Sequence, residues 1–369
     1  MKGAPVSPPW AQQDELELPH LWQKPALQEL FKCLQGLRQE LPVWNLDMPR
    51  AEIIRQREEE QQASAAHDRR EIVSFLSAIV SSGLAWLESD DEREEVWSEA
   101  SKRLAERCGR TAMGDITRCW PFKDREYGAF DLAIREPSIT GDSLGLKTWG
   151  SSYVLAQLLH KFAAGPLAHL FPTDGGTGGK TKPSEILELG SGTGLLGLAA
   201  ACIWKTHVFL TDLPAIMPNL AHNAGLNLAT VEERGGHVDA AALTWGSNEE
   251  EETDPQFTAG NRFQLILVAD PLYDDNHPAL LAGAIDGQLG LGPDSRALVM
   301  VPQRDEITKG LTGALREEMA RQTNPLVCIS ECLVPGQDDW ETRGDDDEAA
   351  NVGFWWGVFK RQQNTACSS

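Results

Sequence analysis

The sequence predicts an α/β fold: a Rossmann-like sheet of seven strands, mostly parallel, behind an α-helical extension. Three observations predict it. Short apolar runs without alternation, the mark of strands covered on both faces, recur from Ile186 onward. Segments of helical periodicity separate them, as a parallel sheet requires. The first junction, Gly190-Ser-Gly-Thr-Gly194, lets the backbone turn sharply and approach a ligand with no Cβ in the way.

The elements follow in order. Residues 1–50, with Pro5, Pro8 and Pro9 near the start, are expected to be extended or poorly ordered. Residues 51–118 form the helical extension. Its first amphipathic helix places Ile72, Phe75, Leu76, Ile79, Val80 and Leu84 at helical spacing over 71–87. A second, over 91–108, places Val96, Trp97, Ala100, Leu104 and Ala105 on one side, with Gly109 as its stop. The main domain is expected over 119–362, followed by a short tail at 363–369. Within it, 124–136 alternates enough for a hairpin strand, and 144–162 reads as a loop entering an apolar helix. Residues 171–182 contain Asp-Gly-Gly-Thr-Gly-Gly-Lys, a flexible insertion rather than a phosphate loop, because the lysine has the wrong spacing and no Ser or Thr completes the pattern.

Strands are then expected at 186–189, 208–211, 238–245, 265–269 and 297–301, with helices at 195–204, 214–227, 278–290 and 305–321. Two last strands, 326–333 and 353–360, flank an acidic loop and suit an antiparallel pair at the sheet edge.

Composition narrows the function. The chain has 369 residues and is 41% hydrophobic, enough for one large core plus an appendage. No apolar run reaches the length of about 20 residues that crosses a bilayer, and no signal-peptide pattern opens the chain, so a soluble cytoplasmic protein is expected. Its 7 cysteines form no C-x-x-C pair, and neither a disulfide framework nor a metal site is indicated. A formal net charge of −22 repels phosphate backbones and attracts basic protein surfaces. The acidic runs at 249–252, 338–339 and 345–348 read as solvated loops or as a rim that attracts a lysine-rich partner.

The glycine turn points to a nucleoside cofactor. The helix after it presents its amino terminus to the ligand, and Asp212 closes the next strand where an open sheet exposes its binding crevice. A carboxylate there can accept both ribose hydroxyls. Gly192-Thr-Gly-Leu-Leu-Gly197 formally satisfies G-x-G-x-x-G, and Asp212 has the spacing of about 20 residues expected for a dinucleotide. Glu188 decides between the cofactors: two residues before the first glycine, it would repel a pyrophosphate yet suits the ammonium and sulfonium end of S-adenosylmethionine. The strand end Ala269-Asp-Pro-Leu-Tyr273 is expected to frame the acceptor, with Asp270 orienting an amine or relaying its proton and Tyr273 desolvating it. Trp245 is placed to border the adenine, and Trp149 opens the helix that covers the cofactor.

Five motifs, Leu144-Gly-Leu-Lys-Thr-Trp-Gly150, Leu187-Glu-Leu-Gly-Ser-Gly-Thr-Gly194, Leu210-Thr-Asp-Leu-Pro214, Leu243-Thr-Trp-Gly246 and Ala269-Asp-Pro-Leu-Tyr273, together resemble the seven-β-strand protein-lysine methyltransferases of non-histone proteins over about 120–361. The resemblance implies a class I methyltransferase sheet. It also implies S-adenosylmethionine contacts at Trp149, Glu188, Gly190, Ser191, Gly192, Gly194, Asp212, Leu213, Trp245 and Ala269. Asp270 and Tyr273 match the family's D-x-x-Y acceptor motif. The helical region around Glu94-Glu-Val-Trp-Ser-Glu and Arg107-Cys-Gly-Arg further resembles the fungal branch that methylates translation elongation factors 2 and 3. Pro271 departs from the pattern and brings it close to the D-P-P-Y signature of adenine amino-methyltransferases. That activity, and a non-catalytic escort of a partner protein, are the two other readings of the sequence.

Overall fold

The computed structural model describes residues 18–38, 66–107, 115–137, 144–171, 185–247, 249, 252–337 and 351–362. The chain divides into two compact units, one helical and ending at Gly114, the other α/β and beginning in earnest at Asp115.

In the helical unit, α1 (Leu27–Gly36), α2 (Ala66–Ser81) and α3 (Asp90–Ala105) enclose their own core of Leu30, Leu34, Leu76, Ile79, Val96 and Ala100. Ser89 and Glu92 cap α3 reciprocally, which fixes its start. Trp86 and Trp97 donate their indole N–H groups to the carbonyls of Pro25 and Ser82 at 3.0 and 2.9 Å, so both rings bury without losing a hydrogen bond. Helix α1 corrects the expectation of an unstructured segment through residue 50: its every-fourth leucine pair, Leu30 and Leu34, is fully buried. Helix α2 stops at Ser81 rather than at Leu87, and Val80 is 40% exposed instead of joining the core.

The α/β unit opens with a hairpin, β1 (Ile116–Asp124) and β2 (Gly128–Glu136), paired antiparallel from Ile116↔Glu136 to Asp124↔Gly128. Strand β1 starts before the expected domain boundary and escapes the sequence pattern because Pro121 interrupts it; a two-stranded ribbon is all edge and tolerates the missing donor. Helix α4 (Gly150–Ala164) then leads to β3 (Glu185–Leu189). The rest alternates as expected: α5 (Leu195–Trp204), β4 (His207–Asp212), α6 (Met217–Leu226), the short α7 (Leu228–Glu233), β5 (His237–Ala242), β6 (Leu265–Ala269), α8 (His277–Gln288), β7 (Arg296–Pro302), α9 (Glu306–Arg321), β8 (Leu326–Gln337) and β9 (Asn351–Arg361). Among the described residues no helix is long and apolar enough to cross a membrane.

The seven-stranded sheet has the order β5-β4-β3-β6-β7-β9-β8, with β9 alone antiparallel to its neighbours. Alternation along each strand feeds two cores. Ile186, Leu265 and Leu267 face α4 and α5, whereas Leu187, Ile266 and Val268 face α8 and α9. Because the chain runs outward from β3 to β5 and then returns to pair β6 against β3, the strand order reverses at the β3–β6 junction. A crevice at the carboxyl ends of those strands is the consequence.

The hairpin is fastened by side-chain amides. Asn223 accepts from the Arg135 N–H at 2.9 Å and donates to the Arg135 carbonyl at 3.0 Å; Asn227 does the same to Ala133, at 2.8 Å in both directions. The two asparagines thus act as an extra strand along β2. Asn223 also donates to the Thr193 carbonyl at 2.9 Å and is fully buried. Asn223→Ala leaves the Arg135 N–H and the Thr193 carbonyl without a partner and the Arg135 carbonyl with Asn219 alone, and a loss of about 2–3 kcal/mol in unfolding free energy is expected by denaturant titration. A loss below about 0.5 kcal/mol would show that the ladder is not structural.

Candidate active site

A cleft of about 260 Å³ opens at the carboxyl ends of β3, β4 and β6. Its floor is the glycine turn. Gly190, Gly192 and Gly194 have φ values of 68°, 56° and 88°, in the left-handed region that only glycine enters freely. A Cβ on Gly190 would lie 3.2 Å from the Trp245 ring, and one on Gly192 would lie 3.2 Å from the Gly145 carbonyl oxygen. The turn is locked from β4: the Ser191 N–H donates to the Thr211 carbonyl, and the Thr211 N–H donates to Ser191 Oγ, both at 2.9 Å.

Two carboxyls lie against this turn. Asp212 accepts from the Gly192 N–H and the Leu213 N–H, one per oxygen and each at 2.7 Å. Burial raises its pKa, and those two amides oppose the rise. Glu188 is 1% exposed and accepts from the Gly197 N–H at 3.1 Å, at the amino terminus of α5. It lines the cleft from beneath, as a support to the turn, and is not an open acid reaching into solvent.

The walls bring in the remaining expected residues. Trp149 caps α4 and is flanked by two cations, Lys147 Nζ at 4.8 Å and the Arg304 guanidinium at 5.2 Å from its ring centre. Trp245 lies beyond its strand, because β5 ends at Ala242 and the backbone turns through Gly246 at φ 81°. Ala269 ends β6. Asp270 follows with φ 55°, uncommon for a residue with a side chain and a mark of a shaped site. Tyr273 is 59% exposed at the mouth, its ring edge-on to His277 with centres 4.2 Å apart.

Residues 129–316 match the lysine methyltransferase family. The chain belongs to that family. It is 34% identical to protein-lysine N-methyltransferase EFM2 of Saccharomyces cerevisiae across 67% of this chain and 57% of that one. It is 29% identical to protein-lysine N-methyltransferase rrg1 of Schizosaccharomyces pombe across 56% of this chain and 62% of that one. EEF1A lysine methyltransferase 3 of Mus musculus is 33% identical over 27% of this chain and 38% of its own. The chain therefore matches less than two thirds of the length of the two yeast relatives.

The lysine methyltransferase cleft takes S-adenosylmethionine, and the residues present fit it. The glycine cradle admits a ligand where any Cβ would intrude, Asp212 keeps a second lone pair on each oxygen for the ribose hydroxyls, and the Trp245 indole offers a flat wall for a purine. Of the residues the sequence singles out, Gly194 alone stays outside the lining. It caps α5, and a Cβ there would lie 2.8 Å from Leu220 Cδ1, so its role is to turn the chain.

Sequence reasoning missed the parts played by four side chains. Arg304 grips both oxygens of Asp270, Nη1 to Oδ1 at 3.0 Å and Nη2 to Oδ2 at 2.6 Å. Thr148 and Thr193 share a buried hydroxyl hydrogen bond of 2.8 Å that joins the loop before α4 to the turn. His277 lines the cleft between Tyr273 and Trp245, and burial lowers its pKa first of all. Thr148 and Thr193 lie inside two of the quoted motifs, but no local pattern records their pairing, and the Asp-Pro-Leu-Tyr motif gives no hint that a residue 34 positions onward will hold its aspartate.

Complete burial pushes the Glu188 carboxyl up to about 8, against an ordinary 4.5. The folded chain holds a proton that the unfolded chain releases, so the ligand-free protein loses stability as pH rises between those two values. Glu188→Gln cannot ionise and should flatten that limb of the curve, read as urea midpoints at about pH 5 and about pH 9. Parallel curves for the two proteins would refute the assignment. For Asp212→Ala, calorimetry should show S-adenosylmethionine affinity falling by about tenfold or more, the loss of a charge-assisted pair of hydrogen bonds.

Proposed function

We propose that this chain is an S-adenosylmethionine-dependent protein-lysine N-methyltransferase whose acceptor is a translation elongation factor, factor 2 and/or 3, in the cytoplasm. The observation that carries the reading is the meeting of two half-sites in one cleft. Asp212, the glycine amides and Trp245 suit a nucleoside on one side, and Asp270, Tyr273 and His277 suit an amine on the other. The name of the mouse relative, which specifies an elongation-factor lysine, supports the acceptor class. So does the net charge of −22, which draws a basic protein surface and opposes a nucleic acid.

The bound cofactor supplies a methyl group on a positively charged sulfur; the chain's residues prepare the nucleophile. A lysine arrives protonated, with an ordinary pKa of about 10.4. Tyr273 and Trp149 present aromatic surface that takes the amine out of water and lowers its proton affinity. Asp270 orients the amine: Arg304 engages both carboxylate oxygens, so the aspartate is a poor choice as a proton relay but a rigid acceptor. His277 braces the acceptor loop: burial lowers its pKa, its Nδ1 accepts from the Tyr273 N–H at 3.4 Å, and the amine's proton leaves to water at the cleft mouth. Orientation and exclusion of water account for the remaining acceleration.

Incubation of the purified protein with labelled S-adenosylmethionine and ribosome-associated extract, with and without nuclease, tests the reading. Nuclease-resistant label in a protein band is expected, and mass spectrometry should place it on lysine. Label lost to nuclease would replace the reading with adenine methylation, and no label would favour a binding protein. On this reading the ring serves the acceptor, so Tyr273→Ala should lower kcat by about tenfold or more while cofactor affinity is nearly retained.

A further inference from the structure

A second constellation sits at the other end of the sheet. Parallel pairing places His207, the first residue of β4, directly beside His237, the first residue of β5. Asp239 follows His237 by two positions and so emerges on the same face. The side chains converge. His207 Nε2 lies 2.7 Å from Asp239 Oδ2, and His237 Nε2 lies 3.5 Å from the same oxygen. One nitrogen from each imidazole and one carboxylate oxygen all fall within 4.8 Å of one another.

We propose that His207, His237 and Asp239 bind a single divalent transition-metal ion of the zinc, nickel or copper class, clipping the edge strand β5 to β4. Nitrogen and oxygen ligands stand about 2.0–2.2 Å from such an ion, which sets tetrahedral ligands roughly 3.3–3.5 Å apart. The 3.5 Å pair already has that spacing, and the 2.7 Å pair needs only a small opening. Two imidazoles select a borderline ion over calcium or magnesium, which favour all-oxygen sites. The His237 and Asp239 side chains are 53% and 51% exposed, so water can complete the coordination.

The surroundings hold His207 in place for this role. Its ring lies against Phe209, centres 4.3 Å apart, and Glu185 Oε1 stands 4.0 Å from Nδ1, on the side away from the Asp239 contact. Glu185 is itself gripped by Arg262, at 2.7 and 2.5 Å, so the nearest guanidinium has its own counter-charge and does not neutralise the proposed ligands. Asp212 closes β4 at the cleft, five residues beyond His207, about 16 Å along the strand, so the ion has no part in methyl transfer. What it supplies is a cross-link between β4 and β5, the strand that ends the sheet among the described residues.

Titration of the untagged full chain with zinc chloride, followed by calorimetry and by thermal unfolding, tests the site. One equivalent of ion and a raised midpoint are expected, with His237→Ala and Asp239→Asn each weakening binding about tenfold or more while leaving the far-ultraviolet circular dichroism unchanged. Cobalt(II) should give a visible spectrum of nitrogen and oxygen ligation. Absence of uptake, uptake equal in both variants, or a near-ultraviolet thiolate band placing the ion on the exposed Cys119 or Cys332, would overturn the proposal.

Discussion

Three left-handed residues within five positions, Gly190, Gly192 and Gly194, are the constraint on which the site depends. A backbone turned this tightly leaves amide groups pointing outward with no secondary-structure partner, and they must be met by something. Asp212 takes Gly192, and the Ser191 carbonyl takes Gly194 at 2.8 Å. Close approach goes with these contacts. Gly197, one turn into α5, lies where a Cβ would come within 2.2 Å of Leu210 Cδ2 and 2.4 Å of Glu188 Oε2, so the helix can settle on β3 and β4 only as glycine allows. The cleft is therefore preorganised by packing beneath it.

That packing has an electrostatic cost. Two carboxyls are drawn under one turn, and burial raises the pKa of both. A cationic ligand offsets that cost, because its charge favours the ionised forms that burial opposes. The wall toward α4 and β7 has the opposite sign, with Lys147 and Arg304 on either side of Trp149. Arg304 connects the two regions, since it faces the indole and at the same time holds Asp270 in its uncommon backbone conformation. The acceptor half of the site thus owes its shape to an arginine on the loop after β7.

How much of this was legible depended on whether the signal was local. The parallel strands announced themselves because each is apolar at consecutive positions, as Leu265–Ala269 is, and Asp212 and Asp270 were found because each closes such a run. Strand β1 was hidden by Pro121, and α1 by the prolines that precede it. The sequence extends the strand before Trp245 through the indole, whereas the ladder ends at Ala242 and a turn brings the ring to the cleft lining. Arg304, His277 and the His207–His237–Asp239 cluster were illegible because nothing in one stretch of chain records its partner in another. Register supplies it, and register is a property of the folded sheet. The acidic runs at 338–339 and 345–348, the glycine-rich insertion beyond Phe171, the stop at Gly109 and the tail lie outside the described residues; of the run at 249–252, Glu249 and Glu252 are described, both away from the cleft lining.

The hairpin shows why the family's fold cannot be reduced to its sheet. Glu136, at the end of β2, accepts from the Thr148 N–H at 3.3 Å; Thr148 shares its hydroxyl with Thr193; and Asn223, which pairs with β2 at Arg135, donates to the Thr193 carbonyl. Two routes therefore run from β2 to one residue of the glycine turn, one through the loop before α4 and one through α6. Each consists of buried polar groups whose loss leaves a donor or acceptor unpaired, so the routes stand or fall together more than as separate bonds. Thr193 is 3% exposed and cannot recruit water in their place. A cofactor loop with this much conformational freedom in its sequence, three glycines in five residues, is thus held from β4 on one side and from a ribbon outside the sheet on the other.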